Sequence, residues 1–235
     1  MQDPSKPKVL YELAGKPLVG HVLSLAKAVG AQKCVAIVGF GREQVKEYIT
    51  ANFPATEFAV QGELLGTGHA VMQTEPLLKY FDGNILVLYG DVPLTTKETI
   101  GSLIDTHKEL NAKATVLTTV LPDAFGYGRI VRTADGKFLD KIVEERDADE
   151  TTKKIKEMNS GICIIGAHDL FSSLEEIHPH NDQKEYYLTD VFAILRGKYG
   201  ENAVALIRTN DPAEVAGVNT KEQLAELEQE YLIRS

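Results

Sequence analysis

The sequence predicts an α/β fold built on a doubly wound, mostly parallel central sheet, followed by a region of shorter strands. Two observations carry this. Short aliphatic runs of strand length, at 34–38, 85–89 and 114–120, alternate with longer segments whose apolar residues recur at helical spacing. Past residue 120 the runs shorten and are separated by a charged segment, 144–157.

Residues 16–30 read as the first helix, with Pro17 near its first turn and Leu18, Val22, Leu25, Ala26 and Val29 at helical spacing. A strand at 34–38 follows, and Gly39 and Gly41 break the pattern before a helix at 44–52. The next strand is 56–61, and the helix 67–80 is reached through glycines. Residues 85–89, bounded by Gly83 and Gly90, form the continuous apolar run of a strand covered on both faces. A helix at 96–110 and a strand at 114–120 complete the first half.

Strands are expected at 126–131, 138–143 and 159–165, with 144–157 as a solvated helix or excursion. A helix at 188–199, a strand at 203–208 and a closing helix at 220–231 follow, the last with Leu224, Leu227 and Tyr231 on one face. Thr220 with Gln223 has capping-box spacing, as does Asn219 with Glu222. If Thr220 is the cap, the Asn219 side chain is left for another task. A parallel doubly wound sheet gathers the loops after its strands at one edge, so 38–42, 61–69 and 89–93 become candidates for one site.

A chain of 235 residues can bury one full core, and 43% hydrophobic with 25% charged residues describes an ordinary soluble globular protein. The net charge of −9 repels nucleic acid and anionic membrane, so neither is an expected partner, and a phosphate-bearing ligand needs a local basic site or a metal ion. No apolar run approaches a membrane span. The polar start, broken by Pro4 and Pro7, carries no secretory signal. Cys34 and Cys163, each among aliphatic residues, read as small buried hydrophobes rather than a disulfide pair, and a cytoplasmic location is expected.

Tyr89-Gly90-Asp91 closes the 85–88 run. A carboxylate leaving the carboxyl edge of a central strand is placed to hold a divalent ion, and Gly90 admits a ligand to the backbone; a plain turn cap before Pro93 has the same pattern. In Gln61-Gly62-Glu63-Leu64-Leu65-Gly66-Thr67-Gly68-His69, backbone N–H groups and a hydroxyl can meet a base or phosphate, or simply form a tight turn. It matches neither a Walker loop nor the dinucleotide fingerprint. His69 reads as a packed helix residue rather than a base. Lys6-Pro7-Lys8 offers one restrained positive charge, although a solvent-facing lysine is what the residues alone favour.

Gly126-Tyr127-Gly128-Arg129-Ile130, Glu144-Glu145 and Asn159-Ser160-Gly161 read first as turn residues of a hairpin. Asn and Glu side chains can also read sugar hydroxyls and an acetamido group through paired donors and acceptors. Tyr186, Tyr187 and Thr189 precede the 188–199 helix and can line the same cavity, while Asp190 can serve its terminus.

Taken together, these segments resemble the uridylyltransferase domain of bacterial bifunctional N-acetylglucosamine-1-phosphate uridylyltransferase/glucosamine-1-phosphate acetyltransferases. The ordered set is Pro7-Lys8-Val9-Leu10, Leu65-Gly66-Thr67-Gly68-His69, Leu88-Tyr89-Gly90-Asp91-Val92-Pro93, Gly126-Tyr127-Gly128-Arg129-Ile130, Ile142-Val143-Glu144, Asn159-Ser160-Gly161, Glu185-Tyr186-Tyr187-Leu188-Thr189-Asp190 and Gly217-Val218-Asn219. The resemblance implies a Rossmann-like nucleotidyltransferase fold over 1–235, with a nucleotide-binding part at 1–120, a smaller sugar-binding β region at 121–218 and a closing helix at 219–235.

It implies Mg²⁺ on Asp91 and Asn219, with Lys8 on a phosphate near the reacting centre. Gln61, Gly66, Thr67, Tyr89 and Gly90 would bind the nucleotide. Gly128, Glu144, Asn159, Thr189 and Asn219 would position the sugar phosphate. UTP and N-acetylglucosamine 1-phosphate would give UDP-N-acetylglucosamine and pyrophosphate, a step in making peptidoglycan precursors. The alternatives are a glucose-1-phosphate uridylyl- or thymidylyltransferase, or a catalytically weak nucleotide-sugar binding protein.

The family begins with a hydrophobic strand and a glycine-rich phosphate loop, of which only Met1 has a counterpart. Losing three buried aliphatic residues of such a strand would cost roughly 5 to 9 kcal/mol. Little turnover is therefore expected of the chain as it stands, with activity restored by upstream extension. No hexapeptide repeats of the acetyltransferase domain follow, and since family trimerisation relies on that domain, a monomer or weak dimer is expected.

Overall fold

Alternating aliphatic runs and amphipathic segments produce eight α-helices and ten strands among the described residues, which in this computed structural model are 6–179, 181 and 183–234. Met1 and Pro4 lie outside them. A hairpin of β1 (Glu12–Leu13) and β2 (Lys16–Pro17) leads into α1 (Leu18–Ala28). Then come β3 (Cys34–Val38), α2 (Arg42–Asn52), β4 (Thr56–Val60), α3 (Thr67–Met72) and α4 (Glu75–Leu78). They are followed by β5 (Asn84–Val87), α5 (Lys97–Glu109), β6 (Ala114–Val120), β7 (Arg129–Arg132) and β8 (Leu139–Val143). The chain continues through β9 (Glu157–Gly166), α6 (Ala167–Leu174), α7 (Asp190–Tyr199), β10 (Val204–Arg208) and α8 (Lys221–Arg234).

Most boundaries fall where the pattern puts them, and the departures have local causes. The expected 67–80 helix is two helices, because Pro76 in the first turn of α4 has no N–H to donate and its ring crowds the preceding turn. The Thr74 hydroxyl covers the break by donating to the Val71 carbonyl at 2.7 Å. The 144–157 segment is a loop ending in a 3-10 turn, Thr152–Lys154. Helix α6 was not expected: β9 passes into it through the single residue Gly166, and Ala167, Leu170 and Phe171 follow so closely that no loop separates the two.

The α/β class holds, but the sheet is mixed rather than mostly parallel. Parallel pairing occurs in β3 with β4 and in β10 with β6. Strand β9 runs antiparallel to β5, β6 and β7, and β7 pairs antiparallel with β8. The larger sheet has the order β10-β6-β9-β7-β8, with β5 also on β9. The antiparallel character comes from β9, whose hydrogen-bonding direction was not visible in its apolar pattern.

Strand β9 is kinked. Gly161 has φ of +81°, and the ladder to β6 shifts register between Val116 and Thr118. Such an irregularity bends a strand and interrupts its pairing. Strand β7 meets β9 at Met158, before the kink, and β5 meets it from Cys163 onward. A gap therefore opens between β5 and β7 at 159–161.

Strands β3 and β4 form a separate two-stranded sheet, and among the described residues no strand joins β3 to β5. For that reason Ile85, Leu86 and Val87 are half-buried, where coverage on both faces was expected. The largest core cluster takes Val71, Val116, Cys163, Leu170, Val191 and Val204 from both halves of the chain. Among the described residues no helix is long and apolar enough to cross a membrane.

Candidate active site

Parallel pairing of β3 and β4 brings their following loops together, with the Gln61 N–H donating to the Val38 carbonyl at 2.9 Å. The loop after β5 carries Asp91, and the segment before α8 reaches it through a bond from the Val218 N–H to the Asp91 carbonyl at 3.0 Å. Thr220 caps α8 as its spacing allows: Gln223 N–H donates to Thr220 Oγ1 at 3.2 Å, and Gln223 Oε1 accepts from the N–H groups of Asn219 and Thr220 at 2.8 and 3.1 Å. The Asn219 side chain is thereby left to face Lys8.

The Lys8 ammonium donates to Asp91 Oδ2 at 2.5 Å and to Asn219 Oδ1 at 2.8 Å. Lys8 is thus not simply solvent-facing. Two hard oxygen donors converge on one cationic point, which fits Mg²⁺, an ion that takes one or two carboxylates and completes its shell with water and substrate phosphate. The described residues contain no cluster of three or more His, Cys, Asp or Glu arranged to hold a metal. The ammonium and a divalent cation would use the same two oxygens.

Two residues before Asp91, Tyr89 projects into the gap at the β9 kink. Together with Thr67, Gly128, Glu144, Asn159, Gly161 and Thr189 it lines a cavity of about 200 Å³. Gly161 is required there, since a Cβ on it would lie 2.5 Å from Cε2 of the Tyr89 ring. Burial pushes the Tyr89 phenol up from its ordinary value, helped by Cys163, Glu144 and Asp91. At neutral pH it is a hydrogen-bond donor.

Glu144 accepts from the Thr189 hydroxyl at 3.1 Å. Burial pushes its carboxyl up, the Thr189 bond offsets part of this, and Asp147 and Asp190 push it further. A Cβ on Gly128 would lie 3.1 Å from Glu144 Oε2, so the missing side chain keeps that oxygen accessible. Asn159 Oδ1 accepts from the Gly161 N–H at 3.0 Å, leaving the amide NH₂ as a donor toward the cavity.

The glycines of the 65–69 segment serve a close approach to 185–188. Gly68 N–H donates to the Tyr186 carbonyl at 2.7 Å, Tyr186 N–H to the Leu65 carbonyl at 2.8 Å, and Leu188 N–H to Thr67 Oγ1 at 3.1 Å. A Cβ on Gly66 would meet the Tyr186 carbonyl oxygen at 2.6 Å. The Gly68 N–H is therefore committed within the protein and does not present itself to a ligand. Gln61 Nε2 donates to the Gly66 carbonyl at 3.1 Å and lies 3.3 Å from His69 Nδ1, while Gln73 lies 3.2 Å from His69 Nε2. A neutral imidazole has one acceptor nitrogen, so only one of these two amide NH₂ groups donates to the ring, and His69 is held among neighbours rather than free as a base. Gly90 lies against Val9.

Gly126, Tyr127, Ser160, Leu188 and Phe192 complete the cavity wall; all but Phe192 fall in segments the sequence singled out, though none was given a binding role there. Arg129, 2% exposed, pairs with Glu145 at 2.7 Å and donates to the Tyr127 carbonyl, while Glu145 Oε2 accepts from the Gly126 N–H at 3.1 Å. This clamp shapes the loop that carries Gly128; adjacent opposite charges around a glycine pair were its only trace in the sequence.

Comparison with known proteins places the chain in a family. Over residues 1–189 the chain matches the MobA-like NTP transferase domain. It is 46% identical over 223 residues to the "Bifunctional protein GlmU" of Alkaliphilus oremlandii (strain OhILAs), covering 94% of this chain and 47% of that protein. The protein of the same name from Geobacillus thermodenitrificans (strain NG80-2) is 43% identical over 221 residues, again 94% of this chain and 47% of the relative. The chain thus spans about half the length of these relatives.

The fold is that of a UDP-glucose pyrophosphorylase solved with UDP-glucose, with a TM-score of 0.74, 15% identity, and coverage of 97% of this chain and 91% of that one. HddC from Yersinia pseudotuberculosis, solved with GMP-PN, shares it with a TM-score of 0.66 and 16% identity over 96% of this chain and 90% of that one. The chain belongs to the family of MobA-like NTP transferase domains and is a nucleotidyltransferase.

Proposed function

We propose that this domain transfers uridylyl from UTP to N-acetyl-α-D-glucosamine 1-phosphate, forming UDP-N-acetylglucosamine and pyrophosphate. The observation that carries the reading is the adjacency of two unlike sites. A cation-binding point at Asp91 and Asn219 sits two residues along the chain from a polar cavity of sugar size. Nucleotide would lie on the 1–120 side, near Gln61, Gly66, Thr67 and Gly90, and the acceptor among Gly128, Glu144, Asn159 and Thr189.

In this reading Glu144 accepts from a sugar hydroxyl or the acetamido N–H, and the Asn159 amide donates to an acceptor on the sugar. An oxygen of the sugar phosphate attacks the α-phosphorus of UTP; one P–O bond forms, the P–O bond to pyrophosphate breaks, and no proton need move because the acceptor phosphate is already ionised. Lys8 supplies fixed positive charge where the two anions meet. Bound through Asp91 and Asn219, Mg²⁺ would supply the remaining charge neutralisation.

The test is pyrophosphate release with UTP and Mg²⁺, comparing N-acetylglucosamine 1-phosphate with glucose 1-phosphate. Faster turnover of the N-acetylated acceptor is expected. Preference for glucose 1-phosphate would reject the sugar assignment, and saturable UDP-N-acetylglucosamine binding without turnover would replace transfer by binding.

A further inference from the structure

Glu214 lies in a 3-10 turn, Pro212–Val215, and is 6% exposed. Its carboxylate is held by hydroxyls. Oε1 accepts from Thr96 Oγ1 at 2.7 Å, and Oε2 from Thr99 Oγ1 at 2.6 Å and Thr209 Oγ1 at 2.9 Å. Its backbone carbonyl accepts from Thr95 Oγ1 at 2.7 Å. None of these groups belongs to either half of the site described above.

The placement of the four threonines gives the cluster a purpose. Thr96 is the N-cap of α5, accepting from the Thr99 N–H at 3.2 Å while donating to Glu214, so the carboxylate sits at the positive end of a 13-residue helix. Thr95 and Thr96 follow Asp91 on the same loop by four and five residues. On the other side, Glu214 precedes Asn219 by five residues. Thr209 ties the cluster to the end of β6 through a bond from its N–H to the Thr118 carbonyl at 3.0 Å.

Two segments more than 100 residues apart in sequence, one ending in each oxygen donor, are therefore pinned together a few residues behind those donors. The Val218 to Asp91 backbone bond at 3.0 Å closes the same short circuit at the front. Donors that must converge on one ion need rigid backing, because a small displacement of either opens the pair.

We propose that Glu214 is a positioning residue, which through Thr96, Thr99 and Thr209 holds Asn219 against Asp91. It touches neither substrate nor metal. The inference rests on the metal role proposed for Asp91 and Asn219.

Mn²⁺ affinity in the presence of UTP, read by electron paramagnetic resonance, tests it. Glu214→Ala should weaken Mn²⁺ binding about 10- to 100-fold, the range for loss of an outer-shell partner. Glu214→Gln should recover most of this, since a hydroxyl donates or accepts as needed. Thr209→Val, which deletes one of the three hydroxyl donors to Glu214 together with the acceptor of the Asp211 N–H at 3.1 Å, should shift affinity in the same direction by less. Leu170→Ala, which opens a cavity in the core cluster behind the sugar cavity and not in those that hold Val92, Val215 and Val218, measures what destabilisation alone does to metal binding.

A loss in Glu214→Ala no greater than in Leu170→Ala, with Thr209→Val unchanged, would overturn the positioning role while leaving the metal reading in place. No Mn²⁺ binding by the unsubstituted protein, or none lost in Asn219→Ala, would overturn both.

Discussion

The Lys8 ammonium stands 2.5 Å from Asp91 Oδ2 and occupies the place where a divalent ion would meet that oxygen. A divalent ion held by these two oxygens would compete with the Lys8 ammonium for them, and the displaced lysine would be free to meet a phosphate oxygen.

Lys8→Met should accordingly tighten Mn²⁺ binding to the nucleotide-free protein while reducing uridylyl transfer. With Lys8 39% exposed, the pair is screened and worth about 1 kcal/mol, which corresponds to about fivefold in affinity. Asp91→Asn should lose both metal binding and transfer. Isothermal titration with Mn²⁺ checks the pair, and weaker binding by Lys8→Met would show that the lysine supports the ion rather than substituting for it.

Gly161→Ala tests whether the kink in β9 makes the cavity. The left-handed backbone costs a non-glycine residue about 1–2 kcal/mol, and the new methyl must push aside the Tyr89 ring. The expected result is a KM for N-acetylglucosamine 1-phosphate raised by about tenfold or more, roughly 1.4 kcal/mol. A variant that folds and retains the original KM would show that Tyr89 and Gly161 do not bound the acceptor site.

Glu144 sets a stability against pH. Because burial raises its folded-state pKa, the native protein binds more protons than the unfolded chain between the ordinary glutamate value and that raised value. Stability contributed by this group is full below the window and is lost as pH rises through it. Glu144→Gln keeps the shape and the Thr189 bond without the charge. It should melt higher than the parent at neutral pH, by roughly 2–4 °C for each kcal/mol recovered, and lose the advantage below the window. Acceptor binding should fall in the same variant, since the amide replaces an acceptor oxygen with a donor. Melting curves that stay parallel at every pH would show that Glu144 is not penalised by burial.

Residue patterns located much of this. Strands 34–38 and 114–120 fall where continuous aliphatic runs place them, and of the two capping boxes that the spacing allowed the structure uses Thr220 with Gln223. Asp91 and Glu144 were legible as carboxylates closing strands. The direction of β9 was not, because an apolar run reads the same whichever way its hydrogen bonds point. Nor was the commitment of the Gly68 N–H to Tyr186, which depends on a segment nearly 120 residues away.

By itself the sequence determined the α/β class, the elements that carry the loops, and the residue types able to handle a phosphate and a sugar. Periodicity and turn chemistry act over a few residues and are written locally. Only the tertiary structure decided that Lys8, Asp91 and Asn219 meet at one point, that the β9 kink makes room between β5 and β7, and that Glu214 pins two distant segments behind the site. Each of these depends on contacts between residues far apart in the chain, which no local pattern specifies.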